Sequence, residues 1–333
     1  MIKETVTRGF LYTSLIAAAQ KSFPFSSLVV QKISDDMRQL VLAVLCLMIA
    51  SCVKATTQYN ATVAMKAWLY TKPSSCKVKD IEAWDCAACS AFPQVTSVHV
   101  VANETAETQG YAAYDPTLNW IVFAFRGSRT LLNWIDDFDG TLVPYPSEQH
   151  KRPCVGPNAS SPCRVHQGFH RVYMSMESQL FAAAHSLLQR YGPARPTVMI
   201  TGHSLGATTA LLFALDFVAA FPTQTMLTVY TFGEPRVGDP AFAAWAVRDV
   251  LPEGRQFRIT HKADPVPRLP PLEFGYLHAM HEVWYDNDLA GDHFTYCNDT
   301  AVTEDLSCSM SQFALEFKDH SLYMGIHSGC SAP

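Results

Sequence analysis

The sequence has no run of basic residues and no stripe of alternating basic and aromatic residues. Residues 56–333 carry 19 basic and 27 acidic side chains, a formal net charge of −8. Nucleic acids and strongly anionic membranes bind through positive charge, so neither is an expected partner. Internal repeats and low-complexity tracts are also absent, and 48% of the residues are hydrophobic against 17% charged. This balance argues against a disordered chain and predicts a sizeable core in one domain.

Long apolar runs are missing as well. The stretch from Leu40 to Ala50 is too short to span a bilayer comfortably, and no later segment has enough uninterrupted apolar residues. We therefore expect no transmembrane segment. Arg38 before this stretch, and Val53 and Ala55 after it, give the pattern of a secretory signal that is cleaved near Ala55.

The signal at residues 37–55 does not begin the chain, and we expect translation to start at Met37. Residues 1–36 are then an extension of unknown role. The alternatives are a weak first signal in "GFLYTSLIAAAQ" or a signal anchor that stays attached. The prediction is a secreted, extracellular protein whose single domain covers residues 56–333.

Cysteine pairs at zinc spacing are not found. Removal of residues 1–55 leaves eight cysteines, an even number that suits a disulfide-bonded secreted protein. Cys86 and Cys89 form a C-x-x-C motif without a second pair at zinc spacing, so we interpret both as disulfide-bonded and expect no metal. Spacing alone does not fix which cysteine pairs with which. Sequons that predict a glycosylated surface lie at Asn60, Asn103, Asn158 and Asn298.

Strand-like segments alternate with helical ones along the rest of the chain. The predicted strands are residues 95–102, 108–114, 120–125, 197–200, 226–232 and 256–260, and the predicted helices are residues 166–191, 205–220 and 239–250. Such alternation predicts an α/β fold, with a mostly parallel central sheet that helices cover on both faces.

The segment Gly202-His203-Ser204-Leu205-Gly206 follows a predicted strand and opens a predicted helix. A sharp strand-to-helix turn holds the middle serine in strained geometry, and glycines on either side relieve the crowding. The hydroxyl of Ser204 then stands clear of the sheet, while the Leu205 N–H can point toward a developing oxyanion. The alternative is that Ser204 merely caps the helix.

A serine hydroxyl becomes a nucleophile when a histidine removes its proton and a carboxylate orients that histidine. In α/β-hydrolase topology the acid and the histidine follow the serine along the chain. Asp264 comes just after the predicted strand 256–260, which favours it as the acid. Spacing leaves the base open among the later histidines, which are His278, His281, His293, His320 and His327. Two of these five, His293 and His320, lie in the same pattern, D-H-x-x-Y.

Seven segments, in this order, resemble the secreted class 3 lipases, the fungal triacylglycerol lipase type that has feruloyl esterases among its relatives. They are "WDCAAC", "IVFAFRGSRTLLNWIDDF", "VHQGFHRVY", "TGHSLGATTALL", "YTFGEPRVGDPAFA", "DPVPRLPP" and "DHSLYMGIHSGC", and they span roughly Trp84 to Cys330. The resemblance implies an α/β-hydrolase-like fold with a helical lid.

For the site, the resemblance implies Ser204 as the nucleophile, Asp264 as the orienting acid and His320, in "DHSLYMG", as the base, with His293 as the runner-up. It also implies an oxyanion hole formed by the hydroxyl and N–H of Ser128 and the N–H of Leu205. The implied disulfides are Cys76–Cys330, Cys86–Cys89 and Cys297–Cys308, which leaves Cys154 and Cys163 to pair.

Residues 129–138 resemble the lid of the family. Its apolar face consists of Leu131, Leu132, Trp134 and Ile135. A lipid surface could accept this face when the lid opens, which predicts activation at a lipid-water interface; an immobile core helix is the alternative. The insertion "EQHKRPCVGPNASSPCR" is longer than the simplest members of the family need, and a glycosylated loop there could narrow the substrate range.

The expected protein is a secreted, monomeric serine ester hydrolase, in the first place a triacylglycerol lipase, that needs no cofactor. Phospholipase A1 and feruloyl-type esterase are the enzymatic alternatives. A catalytically inactive secreted binding protein of the same fold is the alternative outside enzymes, and a broken triad or oxyanion hole would indicate it.

Overall fold

The computed structural model describes residues 59–128, 140–145, 154, 162–224, 226–251 and 254–333. Over these ranges the central sheet has eight strands in the order β1-β2-β3-β6-β7-β8-β9-β10. They are β1 (Thr96–Asn103), β2 (Thr108–Asp115), β3 (Trp120–Phe125), β6 (Thr197–His203), β7 (Leu227–Phe232), β8 (Gln256–His261), β9 (His281–Tyr285) and β10 (Thr295–Tyr296). Strands β3, β6, β7, β8 and β9 run parallel, whereas β1, β2 and β10 pair antiparallel at the two edges.

Two further strand pairs lie outside this sheet. They are β4 (Leu142–Pro144) with β5 (Arg164–His166), and β11 (Leu322–Tyr323) with β12 (Ile326–His327). The helices are α1 (Ala61–Thr71), α2 (Val78–Glu82), α3 (Gln167–Met174), α4 (Glu177–Tyr191), α5 (Leu205–Ala220), α6 (Pro240–Trp245) and α7 (Phe317–His320). Among these helices, all from the described ranges, none is long and apolar enough to cross a membrane.

The central sheet buries both of its faces, because successive side chains of a strand point to opposite sides. Along β3, Ile121 and Phe123 join the cluster that helices α3, α4 and α5 cover, whereas Val122 and Ala124 join the cluster around Trp68 of α1. Helix α5 is buried on every side from Gly206 to Phe217, as expected for a helix that is apolar all round. The mostly parallel α/β architecture predicted from the sequence is therefore confirmed.

Several elements differ from the predictions. The predicted helix 166–191 is two helices, α3 and α4, because Ser175 and Met176 interrupt it; the Ser175 hydroxyl donates to the Val172 carbonyl at 2.7 Å. The predicted helix 239–250 becomes a π-helical turn after Trp245. Helix α1 and strands β9 and β10 were not predicted.

The three implied disulfides, Cys76–Cys330, Cys86–Cys89 and Cys297–Cys308, are present, and the remaining cysteines, Cys154 and Cys163, pair with each other as expected. The extension at residues 1–36, the signal at residues 37–55 and the lid at residues 129–138 lie outside the described residues. The expectations for these segments stay predictions.

Candidate active site

Ser204 lies at the junction of β6 and α5 with φ 58° and ψ −127°. A residue with a β-carbon rarely adopts this left-handed region, so the turn holds Ser204 in strained geometry. The side chain makes no capping hydrogen bond to α5. The serine therefore does not serve as a helix cap, and its hydroxyl is available for another role.

The two glycines that flank this turn sit where the backbone leaves no room for a side chain. A β-carbon on Gly202 would lie 2.2 Å from the Gly206 carbonyl oxygen. A β-carbon on Gly206 would lie 2.4 Å from the carbonyl oxygen of Phe125, at the end of β3. The G-x-S-x-G pattern thus reflects close packing of strand, turn and helix.

Asp264 and His320 are joined directly. The Nδ1 atom of His320 donates to Oδ2 of Asp264 at 2.8 Å, and both side chains are buried. The hydroxyl of Tyr323 donates to the same Oδ2 at 2.6 Å, and the Val266 N–H donates to Oδ1 at 2.9 Å. Burial alone raises the pKa of Asp264, but His320 and these two donors outweigh it and hold the pKa below its ordinary value. Asp264 is therefore an ionised carboxylate at neutral pH.

The other imidazole nitrogen of His320, Nε2, is buried and has no hydrogen-bond partner among the described residues. His320 and Ser204 line one cavity of about 330 Å³. In a neutral imidazole whose Nδ1 donates to Asp264, Nε2 carries the lone pair. This is the tautomer in which a histidine accepts the proton of a serine hydroxyl.

Ser128 lines the same cavity as Ser204. The loop that carries it passes close to the turn, because a β-carbon on the preceding Gly127 would lie 3.1 Å from Cβ of Ser204. Leu205 is the first residue of α5, where backbone N–H groups lack partners within the helix and the helix dipole is positive. The structure thus brings all five predicted site residues together near the carboxyl ends of the parallel strands. They are Ser204, Asp264, His320, Ser128 and Leu205.

His203 is part of the site although no sequence pattern gave it a role. Its ring centroid lies 4.5 Å from that of His320, and its Nε2–H donates to the His320 carbonyl at 2.8 Å. Burial and the neighbouring His320 lower the pKa of His203 to about 3. His203 therefore stays neutral and supports His320 without competing for protons.

Gly233 and Tyr323 are also residues that sequence reasoning missed. Gly233 follows β7 with φ 57°, and a β-carbon there would lie 2.8 Å from both Cε1 of His320 and the Tyr323 hydroxyl. A glycine just after a predicted strand was a usable signal for Gly233. The tyrosine of the D-H-x-x-Y pattern was one for Tyr323.

The remaining candidate histidines lie elsewhere. His293 is exposed in the connection between β9 and β10. His278 is buried, its Nε2–H donates to the Pro267 carbonyl at 2.7 Å, and burial lowers its pKa well below the ordinary value. His281 lies on β9 with its ring against Tyr296, and His327 is exposed on β12. Among the described histidines, His320 is the one bonded to Asp264.

The described groups of acidic, histidine and cysteine side chains close enough to share a metal ion are Cys76 with Cys86 and Cys330, and Glu282 with Cys297 and Cys308. Every cysteine in these groups is disulfide-bonded. A disulfide sulfur is not the thiolate that a metal ion binds. These groups therefore do not build a metal site.

Comparison with known proteins finds relatives among the lipases. Residues 122–274 match the family model "Lipase (class 3)". The chain is 34% identical over 248 residues to a lipase of Rhizomucor miehei, covering 74% of this chain and 63% of the relative. It is 37% identical over 177 residues to the secreted mono- and diacylglycerol lipase 2 of Gibberella zeae, covering 49% of this chain and 43% of the relative. The chain thus spans less than two thirds of the length of these relatives.

A solved triacylglycerol lipase, in which a serine protease triad forms the catalytic centre, superposes with a TM-score of 0.67 at 31% sequence identity. The superposition covers 80% of this chain and 96% of that lipase. The shared fold is thus accompanied by shared sequence over most of both chains. The protein belongs to the class 3 lipase family.

Proposed function

We propose that the protein is a serine ester hydrolase that cleaves water-insoluble acylglycerols through an acyl-enzyme. One observation carries this proposal: Ser204, on a strained turn, shares a cavity with His320, whose Nδ1 is bonded to Asp264 at 2.8 Å. A nucleophile, a base with a free nitrogen and an orienting carboxylate are the groups that acyl transfer needs.

In the proposed reaction, His320 Nε2 removes the proton of Ser204 as the Ser204 oxygen attacks the ester carbonyl. The negative charge that develops on the carbonyl oxygen is stabilised by the Leu205 N–H and by the hydroxyl and N–H of Ser128. His320 then gives its proton to the leaving alcohol, and the acyl group stays on Ser204. Water, activated by the same imidazole, releases the acid and restores the serine. Asp264 holds the tautomer of His320 and stabilises the imidazolium.

The substrate class rests on the relatives, which are lipases, including a triacylglycerol lipase and a mono- and diacylglycerol lipase. Extracellular action is supported by four disulfides, because such bonds persist in oxidising compartments. The lid at residues 129–138 and action at a lipid-water interface belong to the same proposal.

Three variants test the residue roles on a dissolved ester such as p-nitrophenyl butyrate. Ser204→Ala and His320→Ala are each expected to lower kcat about 10⁴-fold or more. His293→Ala, which changes an exposed histidine of the same D-H-x-x-Y pattern, is the matched control and is expected to keep wild-type activity. Full activity of Ser204→Ala, or a loss confined to His293→Ala, would contradict the assignment.

Substrate profiling tests the class of ester. We expect hydrolysis of long-chain p-nitrophenyl esters and of a trioctanoin emulsion, with slower turnover of phosphatidylcholine and methyl ferulate. Activity limited to short acyl chains and methyl ferulate would instead indicate a feruloyl-type esterase. A preference for phosphatidylcholine would indicate phospholipase A1.

A further inference from the structure

An apolar segment of the surface, residues 313–317, has no role in the site described above. Its large side chains are exposed: Phe313 at 103%, Leu315 at 57% and Phe317 at 44% of their full accessible area. They take no part in either hydrophobic cluster of the described residues. Single exposed apolar residues are ordinary on a protein surface, but three within five residues form a patch that water solvates poorly.

The backbone on which these side chains stand is held firmly to the rest of the protein. The Glu316 N–H donates to the Ala263 carbonyl at 3.0 Å, and the Ala263 N–H donates to Oδ2 of Asp319 at 3.2 Å. Upstream, the disulfide Cys297–Cys308 fixes the chain shortly before the segment begins. The backbone therefore cannot simply rotate Phe313 and Leu315 into the interior.

The same hydrogen bonds tie the segment to the candidate active site. Ala263 directly precedes Asp264 in the chain. At its other end the segment runs into α7, which ends at His320 on the wall of the cavity. Phe313 and Leu315 thus precede the proposed base, His320, by only a few positions in the chain. A lipid surface that binds them would lie near the cavity.

We propose that residues 313–317 anchor the protein on the surface of neutral lipid, the water-insoluble ester that the proposed function requires. Phe313 and Leu315 enter the apolar phase, which removes them from water. This anchor acts in addition to the predicted lid and is independent of it.

The charges near the segment and on the domain as a whole favour binding to neutral lipid over anionic lipid. Lys318, the basic residue adjoining the segment, is paired with Glu316 at 3.4 Å. Residues 56–333 carry a net charge of −8. Because no excess of positive charge lies beside the exposed side chains of residues 313–317, an anionic lipid would not attract the protein more strongly than a neutral one.

The test uses flotation with trioctanoin droplets and with phosphatidylcholine vesicles, in a Ser204→Ala background so that no lipid is consumed. Phe313→Ser combined with Leu315→Ser is expected to reduce droplet binding about tenfold or more. Phe313→Leu, which keeps the side chain apolar, is expected to retain most of the binding. The matched control is Met226→Ser. Met226 is 40% exposed and directly precedes β7, so it lies at the amino ends of the parallel strands, whereas Ser204 and Asp264 follow their carboxyl ends.

With Ser204 restored, the double variant is expected to hydrolyse dissolved p-nitrophenyl butyrate within about twofold of wild type and to lose activity on trioctanoin droplets. Unchanged droplet binding would overturn the anchor. An equal loss on both substrates would overturn it too, since the segment would then shape the cavity rather than bind lipid. Binding only to vesicles that contain the anionic lipid phosphatidylglycerol would refute the proposal that the segment binds neutral lipid. A dimer in sedimentation velocity that the double variant dissociates would show a second copy as the occupant.

Failure of the anchor and failure of the proposed function give different results. Flotation needs no turnover, so it reports on the segment even if the wild-type protein hydrolyses no ester. Conversely, hydrolysis of dissolved ester that Ser204→Ala abolishes would support the proposed function. It would do so even if the double variant bound the droplets no more weakly than the protein with Phe313 and Leu315 intact.

Discussion

Replacement of Gly233 by alanine tests whether the backbone after β7 sets the position of His320. The new β-carbon would lie 2.8 Å from Cε1 and 2.9 Å from Nδ1 of His320, whereas ordinary van der Waals contact begins near 3.4 Å. The imidazole must therefore shift by at least a few tenths of an ångström, which disturbs the hydrogen bond of its Nδ1 atom to Asp264. Displacement of a catalytic group by about 1 Å can cost about 10²-fold in rate.

The substitution also places alanine at φ 57°, which costs roughly 1 kcal/mol of folding free energy by itself. Gly291→Ala separates the two effects, because Gly291 has φ 82° and a β-carbon there would meet nothing within 4 Å. Both variants are expected to lower the melting temperature, and Gly233→Ala by more, because its β-carbon also meets His320 and Tyr323. Only Gly233→Ala is expected to lower kcat, by about 10 to 10²-fold.

The assay is kcat on dissolved p-nitrophenyl butyrate, measured well below the melting temperature of each variant. Equal kcat for Gly233→Ala and Gly291→Ala would refute the reasoning, because His320 would then tolerate a β-carbon that the geometry excludes. Loss of fluorophosphonate labelling at Ser204 in Gly233→Ala alone would support it, since that labelling requires the base in place.

Three further outcomes are expected. Tyr323→Phe removes a donor to the Asp264 carboxylate and should destabilise the fold by roughly 1.5–3 kcal/mol in thermal unfolding; unchanged stability would mean that this hydrogen bond contributes nothing. Gly206→Ala should cost several kcal/mol because its β-carbon meets the Phe125 carbonyl at 2.4 Å, whereas Gly192→Ala, with open space, should be neutral; equal melting temperatures would contradict the close packing. Burial raises the pKa of Glu234 from 4.5 to about 8, so the folded protein holds this carboxyl protonated where the unfolded chain ionises it. Wild type should therefore lose stability relative to Glu234→Gln as the pH rises from about 4.5 to about 8, and parallel curves of melting temperature against pH would contradict the burial effect.

Local patterns in the sequence were sufficient for the central strands and for the turn at Ser204. The run from Trp120 to Phe125 and the apolar segment before Ser204 read as strands because their side chains are buried on both faces of the sheet. Helix α1 was missed, although Asn60 caps it by accepting the Val63 N–H at 3.0 Å. Its amphipathic signal is weak because the helix presents mainly small and aromatic residues to the sheet.

The parts of the site that spacing could not predict depend on contacts between distant segments. His203 and His320 are 117 residues apart, and their packing arises only when β6 and α7 meet. A glycine after a strand can be recognised in the sequence, but the close approach of Gly233 to His320 at the end of β7 depends on the fold. The choice between His293 and His320 is of the same kind, because both lie in the same short motif and only the fold places one beside Asp264.

The disulfide Cys76–Cys330 closes a loop of 254 residues around nearly the whole described domain. Ser75 and the pair Ser328 and Gly329, next to the two cysteines, form part of the cavity wall. Closing a loop of this length stabilises a fold by on the order of 5 kcal/mol in the chain-entropy model. Production in a reducing cytosol would therefore leave one side of the candidate active-site cavity without this covalent link, and we expect the choice of expression host to affect activity as well as yield.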